Sequence, residues 1–447
     1  MISTTRPAER KLFGTDGVRG VAGDVLTAEL ALGLARAGTA LVQPANRPAR
    51  VLVIRDTRES GEMLQAAVAA GVAAAGGDAL IAGVLPTPAA PLLLARHRLD
   101  LAIVLSASHN PFQDNGIKFF GPDGCKLSDE TELEIEQMLE AEPPGTGRIG
   151  RVSELEGAVE DYLRALDDRF GGLDLSGIRI ALDCANGATF RAAPEIFARL
   201  GADVDLLAAE PDGRNINENC GSTHVGALAE HVRAGGHHAG FAFDGDGDRV
   251  LAVDSRGEVV DGDELIALAA VHLRDTGRLP GDGVAVTVMT NYGFHMAMRD
   301  AGIEVETTSV GDRYVLQALQ RRKWALGGEQ SGHIIETGFN ATGDGIASAL
   351  LVLEALGGAA LADRATMSKL PQRLVNVRIA DREALAASAA VRQAIERESA
   401  ALEGRGRVLV RASGTEALVR VMVEAPTPDE ADAICARLVA AVRSLAG

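Results

Sequence analysis

A chain of 447 residues is too long for one hydrophobic core, so we expect three or four domains. Apolar residues make up 47% of it but aromatic residues only 3%, and this aliphatic composition is typical of α/β layers. The formal net charge of −18 argues against nucleic acid or an anionic membrane as a partner. A locally basic cleft could still bind a phosphorylated small molecule.

The cysteines and the N-terminal segment indicate a cytoplasmic protein. The four cysteines, Cys125, Cys184, Cys220 and Cys435, form no Cys-x-x-Cys pair, so neither a zinc knuckle nor a redox dithiol is indicated and reduced thiols are expected. The N-terminal segment is polar and has no signal-peptide core. The longest uncharged run, 79–95, contains three prolines and is short for a membrane span.

The chain repeats one pattern three times. An apolar run typical of a buried strand is followed by a helical stretch, a glycine stop and a second apolar run, which is the signature of a βαβ unit. The first runs are 51–54, 178–182 and 284–288, and the glycine stops are Gly76-Gly77, Gly201 and Gly302. In each unit a third apolar run ends in a polar loop. Because ligands bind beyond the carboxyl ends of strands in open α/β sheets, the three loops predict one shared cleft.

The last stretch of the chain follows a different pattern. It indicates a strand, a helix, two further strands and a closing helix after Pro428, which is a small α+β domain. The domain boundaries that we predict are 1–157, 158–254, 255–367 and 368–447.

Two loops in the first unit combine small residues with a cation or an imidazole. The glycine-rich loop 14–20 carries Arg19 and could hold a phosphate, although a plain turn is the commoner structure for such a loop. In 106–110 a serine beside His109 at a strand end could be a nucleophile or a phosphate carrier. An Asn-Pro turn with capping hydroxyls explains the same residues equally well. The chain contains neither a P-loop nor a Gly-x-Ser-x-Gly elbow.

The second unit contains the most informative loop. A strand-like apolar run ends in Asp244, Asp246 and Asp248, which are separated by glycines that let alternate side chains converge. Crowded carboxylates repel one another, and hard divalent ions such as Mg²⁺ prefer oxygen ligands, so the loop predicts a metal site. A solvated acidic turn is the alternative. An EF-hand is rejected because Arg249 and Ser255 occupy the positions of its glycine and glutamate.

Two later loops carry side chains that suit a phosphorylated sugar. The loop 328–333 supplies a carboxylate, an amide, a hydroxyl and an imidazole, which suit sugar hydroxyls or acid–base work but also an ordinary polar turn. The segment 411–416, followed by Arg420, combines two guanidinium groups with two hydroxyls and suits a phosphate dianion, with a hairpin turn as the alternative. His237 and His238 are expected to be an exposed loop pair, and the histidines show no metal-ligand spacing.

Five of these loops together resemble one family. FGTDGVRG, SASHNP, DGDGDR, GEQSGH and SGTE occur between residue 12 and about residue 424 in the order found in the α-D-phosphohexomutases. The chain is most similar to bacterial members that interconvert glucosamine 6-phosphate and glucosamine 1-phosphate for UDP-N-acetylglucosamine synthesis. The resemblance implies three related α/β/α domains with mixed sheets and a small C-terminal α+β domain around a central cleft. It also implies a homodimer.

The resemblance further implies which residues form the site. It implies a phosphoserine at Ser108, Mg²⁺ held by that phosphate with Asp244, Asp246 and Asp248, and a glucosamine 1,6-bisphosphate intermediate. The further candidates are Arg19, His109, Lys118 and Arg249 for catalysis, Glu329, Ser331 and His333 for the sugar, and Arg411, Ser413, Gly414, Thr415 and Arg420 for the distal phosphate. Lys118 could transfer a proton, provide a counter-charge or be a surface lysine.

One loop departs from the family pattern, and other functions stay open. Ala412 and Ala417 replace two prolines that the family usually has beside its phosphate loop, so we expect a more mobile loop that still binds phosphate. The alternatives in the same family are a phosphomannomutase or phosphoglucomutase. Outside it, a metal-dependent sugar phosphatase or a non-catalytic phosphosugar or metal sensor would contain similar loops.

Overall fold

The computed structural model describes residues 11–14, 16–141, 147–378, 388–412 and 418–444. The chain forms two compact units. One comprises the chain up to Val288 together with Glu306–Arg364, and the other comprises Met289–Val305 together with the chain from Ala365. None of the helices in the described ranges combines the length and the apolar character that crossing a bilayer requires.

The first sheet has six strands in the order β1-β5-β4-β2-β3-β6. Strand β2 runs parallel to β3 and β4, whereas β5 runs antiparallel to β4 and β1, so the sheet is mixed. Its strands are β1 Val18–Val21, β2 Arg50–Arg55, β3 Asp78–Val84, β4 Leu101–Leu105, β5 Asp114–Phe120 and β6 Val152–Glu154. The helices of this segment are α1 Ala28–Leu41, α2 Ser60–Ala74, α3 Ala89–His97 and α4 Asp129–Glu140.

The second sheet has five strands in the order β11-β10-β9-β7-β8. Strand β7 runs parallel to β8 and β9, and β10 runs antiparallel to β9. All five residues of β9 are buried, as expected for a strand covered on both faces. The strands are β7 Arg179–Asp183, β8 Asp203–Leu207, β9 Ala239–Phe243, β10 Val250–Asp254 and β11 Val259–Val260. The helices are α5 Ala158–Phe170, α6 Ala192–Arg199 and α7 Gly226–Gly235.

The third sheet has four strands in the order β13-β12-β14-β15. Strand β14 is parallel to β12 and antiparallel to β15. The strands are β12 Gly283–Thr287, β13 Glu304–Thr308, β14 Leu326–Gly328 and β15 Ile334–Glu336. The helices along this part of the chain are α8 Gly262–Asp275, α9 Tyr292–Asp300, α10 Asp312–Arg322 and α11 Gly345–Leu356. The three predicted repeats of strand, helix, glycine stop and strand are confirmed.

The three sheets share one four-strand arrangement. Its order is β3-β2-β4-β5 in the first sheet, β8-β7-β9-β10 in the second and β13-β12-β14-β15 in the third. Within each four-strand arrangement, the third strand along the chain (β4, β9 or β14) is followed by an antiparallel fourth strand. The connection between those two strands contains the serine loop, the aspartate loop and the Glu329 loop, respectively.

The second compact unit contains a three-stranded antiparallel sheet. Its strands are β16 Gln372–Arg378, β17 Arg407–Ala412 and β18 Leu418–Glu424, in the order β16-β18-β17. Helices α12 Ala389–Leu402 and α13 Pro428–Arg443 follow β16 and β18, and α13 begins at the proline that predicted it. Residues 289–305 belong to this unit, in which Tyr292 N donates to the buried Glu424 carboxylate at 2.9 Å.

A buried carboxylate caps helix α11 in the first unit. Asp344 accepts from Ala347 N at 3.0 Å and from the Tyr162 hydroxyl at 3.0 Å, and both side chains are buried. Burial raises the pKa of Asp344 from 3.8 to about 6, because these hydrogen bonds only partly compensate for the lost water. The folded protein therefore holds this proton to a higher pH than the unfolded chain does. The free energy of unfolding therefore falls as the pH rises from the ordinary pKa of 3.8 through the folded-state pKa of about 6. At higher pH the buried, ionised carboxylate lowers that free energy by on the order of 3 kcal/mol.

We expect Asp344→Asn to stabilise the protein at about pH 8 by about 1–3 kcal/mol and to have little effect at about pH 4. Asparagine can still cap the helix, but it has no charge to bury. Unfolding temperatures at both pH values, measured by differential scanning calorimetry, test this. Tyr162→Phe is the matched variant, because it keeps the carboxylate, removes one of its donors and should destabilise most at the higher pH. An effect of Asp344→Asn that is the same at both pH values would contradict the assignment.

Candidate active site

The serine loop and the aspartate loop are in direct contact. Ser108 follows β4 and Asp244 follows β9, and the Ser108 hydroxyl donates to Asp244 Oδ2 at 2.5 Å. Each of the two residues is only 1% exposed, so the contact is shielded from water. Ser108 also has a left-handed backbone, with φ of 54°, which a serine adopts only when its surroundings hold it there. The predicted convergence of these two loops is confirmed.

A buried arginine holds the serine loop in this conformation. The Arg58 guanidinium donates to Ser108 O and Asn110 O, both at 2.9 Å, and its Nε donates to Asp56 at 2.8 Å. The same carboxylate accepts from the Ser106 hydroxyl at 2.6 Å. Asp56 and Arg58 belong to no recognisable motif and were not among the predicted site residues. They directly follow β2, so the rule that ligands bind beyond the carboxyl ends of strands could have drawn attention to them.

Two glycines allow the aspartate loop to approach its neighbours. A Cβ on Gly245 would lie 2.6 Å from Ser108 O, so only glycine allows the serine loop to pack this closely. Gly247 has φ of 73°, a conformation that favours glycine. The loop can therefore turn tightly enough to aim alternate carboxylates at one point.

The three aspartates form a compact buried trio. Carboxylate oxygens of Asp244, Asp246 and Asp248 lie within 4.8 Å of one another, and all three residues are buried. Burial, together with the charges of Asp248 and Asp246, raises the pKa of Asp244 well above its ordinary value. Among the described residues, Asp246 Oδ1 and Asp248 Oδ1 have no hydrogen-bond partner. Unsatisfied, mutually repelling carboxylates at this spacing fit a hard divalent cation.

A lysine and a histidine lie next to the aspartate trio. Lys118 is 1% exposed and donates to Asp246 Oδ2 at 2.8 Å, so it is not the surface lysine that the sequence left possible. Its Nζ also lies 3.1 Å from Asp16 Oδ2. Burial disfavours the Lys118 ammonium, but Asp16 and Asp246 outweigh it and raise the pKa of Lys118. Asp248 faces His333 Nδ1 at 3.6 Å, and this imidazole with Lys118 holds the pKa of Asp248 below its ordinary value despite burial.

Further ion pairs next to the trio involve residues that were not predicted to belong to the site. Asp16 forms ion pairs with Arg19 and Lys126, and Lys126 Nζ lies 2.5 Å from Asp312 Oδ2. Burial opposes ionisation of Asp16, but Lys118, Lys126 and Arg19 hold its pKa well below its ordinary value. Asp16, Lys126 and Asp312 were missed, because each is an ordinary loop or helix-end residue in the sequence. Only the folded chain reveals that they are partly buried partners.

The loops open onto a cavity of about 510 Å³. Of the predicted site residues, those that line it are Arg19, His109, Asp248, Arg249, Glu329 and His333. His109 Nδ1 lies 3.3 Å from Ser108 Oγ, and Glu329 accepts from Gly311 N at 3.0 Å. Ser331 is exposed and is not among the lining residues. A cavity of about 610 Å³ borders this one at Asp312 and His333, and neither cavity is lined by Ser108, Asp244 or Asp246.

The predicted phosphate loop lies in the second compact unit. Arg411 on β17 and Arg420 on β18 are directly paired residues in the antiparallel register, so their side chains leave the same face of the sheet. Ser413, Gly414 and Thr415 lie outside the described residues.

Models of one protein family together match nearly the whole chain. Models for the four domains of phosphoglucomutase/phosphomannomutase match it: α/β/α domain I at residues 10–145, domain II at 160–257, domain III at 261–376 and the C-terminal domain at 374–441. The chain belongs to the phosphoglucomutase/phosphomannomutase family. The predicted family resemblance is therefore confirmed.

Individual relatives of this family member are similar over comparable lengths. A phosphoglucosamine mutase of Moorella thermoacetica is 49% identical over 436 residues, which is 96% of this chain and 98% of the relative. One of Desulforudis audaxviator is 51% identical over 93% of this chain and 94% of the relative. A crystal structure of a phosphoglucomutase/phosphomannomutase family protein from Burkholderia thailandensis, 24% identical, covers 97% of both chains with a TM-score of 0.84 and has the same fold.

The repulsion among the three aspartates of this phosphoglucomutase/phosphomannomutase family member should affect its stability and its affinity for Mg²⁺. We expect Asp244→Asn to raise the unfolding temperature of the metal-free protein, because it removes one of three repelling charges. It should also reduce Mg²⁺ affinity about tenfold or more, because it removes an oxygen anion. Calorimetric unfolding and Mg²⁺ titration test both effects, and the exposed Asp24→Asn should change neither. A lower unfolding temperature without metal, or an unchanged Mg²⁺ affinity, would argue against the crowding.

Proposed function

We propose that this chain interconverts glucosamine 6-phosphate and glucosamine 1-phosphate, with Ser108 as the phosphoryl carrier. The observation that carries the proposal is the buried contact of the Ser108 hydroxyl with Asp244, at the edge of a trio of carboxylates. The phosphoglucosamine mutases that are about half identical to this chain support glucosamine as the sugar. Domain boundaries at 157, 254 and 367, a homodimer and a cytoplasmic location stay predictions.

The proposed reaction consists of two phosphoryl transfers. In the first, the bond between phosphorus and Ser108 Oγ breaks, and a free hydroxyl of the sugar monophosphate forms a bond to that phosphorus and loses its proton. The sugar, now a 1,6-bisphosphate, turns over within the cleft. In the second transfer, Ser108 Oγ takes the phosphoryl group from the other position, and the sugar oxygen left behind regains a proton. Phosphate is conserved and no water is consumed.

The trio and the basic residues around it would stabilise the charge at the transferring group. Asp244, Asp246 and Asp248, with the phosphorylated Ser108, would hold one Mg²⁺, which supplies charge neutralisation for the phosphoryl oxygens when bound. Lys118 lies deep in the site and would provide a fixed counter-charge. Arg19 and Arg249 line the cleft and would bind phosphoryl oxygens.

Other residues would move the proton and bind the sugar. His109 Nδ1, at 3.3 Å from Ser108 Oγ, is placed to exchange a proton near the reacting oxygens. Glu329 would bind sugar hydroxyls in both orientations, and Ser331 at the exposed edge of its loop would complete that set. His333, also a predicted sugar ligand, is buried with Nδ1 facing Asp248 and Nε2 accepting from Gly343 N, so it would support the trio instead. Arg411, Ser413, Gly414, Thr415 and Arg420 would bind the phosphate that is not being transferred, from either end of the sugar.

The carrier role predicts that Ser108→Ala loses mutase turnover by about a thousandfold or more, because it removes the oxygen that carries the phosphoryl group between the two transfers. Mass spectrometry of purified wild-type protein should find one added phosphate on the 106–110 peptide. Ser153→Ala, at an exposed serine, should keep both the phosphate and the activity. Wild-type turnover in Ser108→Ala would refute the carrier role. Free phosphate released in step with substrate loss would instead indicate a phosphatase.

Comparing kcat/KM for glucosamine, glucose and mannose 6-phosphates tests the choice of sugar. We expect the glucosamine phosphate to be preferred. A preference for either of the other sugars would leave the phosphoryl chemistry intact and assign the chain to a different activity of the same family.

The close packing at Gly245 gives a separate prediction. We expect Gly245→Ala to lower kcat by about a hundredfold, because the new Cβ must push Ser108 away from the trio. Gly338→Ala is the matched control, since a Cβ there would meet nothing within 4 Å. Steady-state kinetics test the pair, and circular dichroism checks that both variants fold. Equal activity in the two variants would contradict the close packing.

A further inference from the structure

We propose that Asp205, His231 and His237 form a second cation site, separate from the aspartate trio, for a borderline divalent ion such as Zn²⁺. Asp205 lies on the edge strand β8, His231 on helix α7, and His237 in the turn between α7 and β9. The sequence predicted His237 to be exposed, which is wrong: its side chain is 1% exposed, whereas His238 is exposed as expected. Because these three residues come from a strand, a helix and a turn, they have no regular spacing in the sequence, and no motif predicts the site.

Both imidazoles direct the same ring nitrogen at one carboxylate oxygen. His237 Nε2 lies 2.7 Å and His231 Nε2 lies 3.5 Å from Asp205 Oδ2. The two ring centroids are 4.9 Å apart with an interplanar angle of 33°, so the rings stand side by side. The three ligand atoms lie within 4.8 Å of one another. A tetrahedral zinc ion separates its ligand atoms by roughly 3.5 Å, so only small rotations are needed to admit one.

The donor set selects the type of ion. Two imidazole nitrogens and one carboxylate oxygen suit Zn²⁺, Co²⁺ or Ni²⁺, whereas Mg²⁺ prefers oxygen ligands. His231 Nε2 is a buried atom without a hydrogen-bond partner among the described residues, because its 3.5 Å distance from Asp205 Oδ2 is too long for a good hydrogen bond, so this nitrogen can bind an ion. The side chains of His231 and Asp205 are 41% and 43% exposed, so an ion and its remaining water ligands can reach the buried His237 from solvent.

A neighbouring arginine orients the carboxylate without cancelling its charge. Arg179 Nη2 lies 3.3 Å from Asp205 Oδ2, and its Nη1 donates to Gly235 O at 2.8 Å, which ties β7 to the end of α7. Arg179 Nε also lies 3.3 Å from Asp203 Oδ2. Two carboxylates thus share one guanidinium, and the cluster keeps a negative charge that attracts a cation.

An ion at this site would join three elements next to the catalytic loop. It would tie α7, the turn after it and β8 together, and β9 runs from that turn directly to Asp244. Binding to the folded protein alone raises its stability by mass action. We therefore expect Zn²⁺ or Co²⁺ to raise the unfolding temperature even when Mg²⁺ is in large excess.

The test is a Co²⁺ titration of the full chain with Mg²⁺ in large excess, read by visible absorption and by calorimetric unfolding. Wild-type protein should bind one Co²⁺ with the absorption of imidazole ligation and a higher unfolding temperature. His231→Gln removes one ligand at a half-exposed position and should weaken binding about tenfold or more. His224→Gln, an exposed histidine of the same segment, should bind as the wild type does.

Asp205→Asn gives an independent check, because an amide can still bond to His237 but is a poor metal ligand. It should weaken Co²⁺ binding while the metal-free unfolding temperature stays close to that of His224→Gln. Equal Co²⁺ affinity in all four proteins, or no binding in the wild type, would overturn the proposal and leave an ordinary histidine–carboxylate hydrogen bond. Mutase activity does not enter the test, so its outcome is independent of the proposed function.

Discussion

The site depends on three carboxylates held closer together than their charges favour. Asp244, Asp246 and Asp248 are all buried, and each is contacted by a donor or a cation: Asp244 by the Ser108 hydroxyl, Asp246 by Lys118 and Asp248 by His333. Unpaired buried charges cost several kcal/mol each, so the loop requires these partners. The same constraint draws the serine towards the trio, because its hydroxyl is one of the groups that offset the crowding.

The compensation extends through an alternating series of charges. Asp16 lies between Lys118 and Lys126, and Lys126 lies between Asp16 and Asp312. In such a series each ion is costly without its neighbour, so losing one member leaves another uncompensated. The series need not add stability relative to an apolar interior. Its effect is to fix the positions of β5, the loop after it and the start of α10, which surround the cleft.

The strands, helices and polar loops could be predicted from the sequence, but the buried ion pairs that link the loops could not. Strands, helices and glycine stops follow from short-range periodicity, and the polar loops could be placed together because strand ends of one sheet share an edge. Lys118 could not be assigned, because its burial follows from the pairing of β5 against β4, where it lies opposite Val104. Arg58 and Lys126 depend in the same way on partners distant in sequence. His237 was predicted incorrectly because its burial is set by the packing of the turn against β8.

One repeated arrangement supplies three different chemical groups. In each of the three sheets the loop between the parallel third strand and its antiparallel neighbour carries the side chains of the site: a serine, a set of aspartates, and a glutamate with a histidine. The backbone fixes where each loop emerges, whereas its side chains can differ without altering the sheet. Serine and carboxylates meet because equivalent strand ends face one cavity, so the contact between Ser108 and Asp244 follows from the placement of the domains. The specificity of the reaction is left to the residues of the loops.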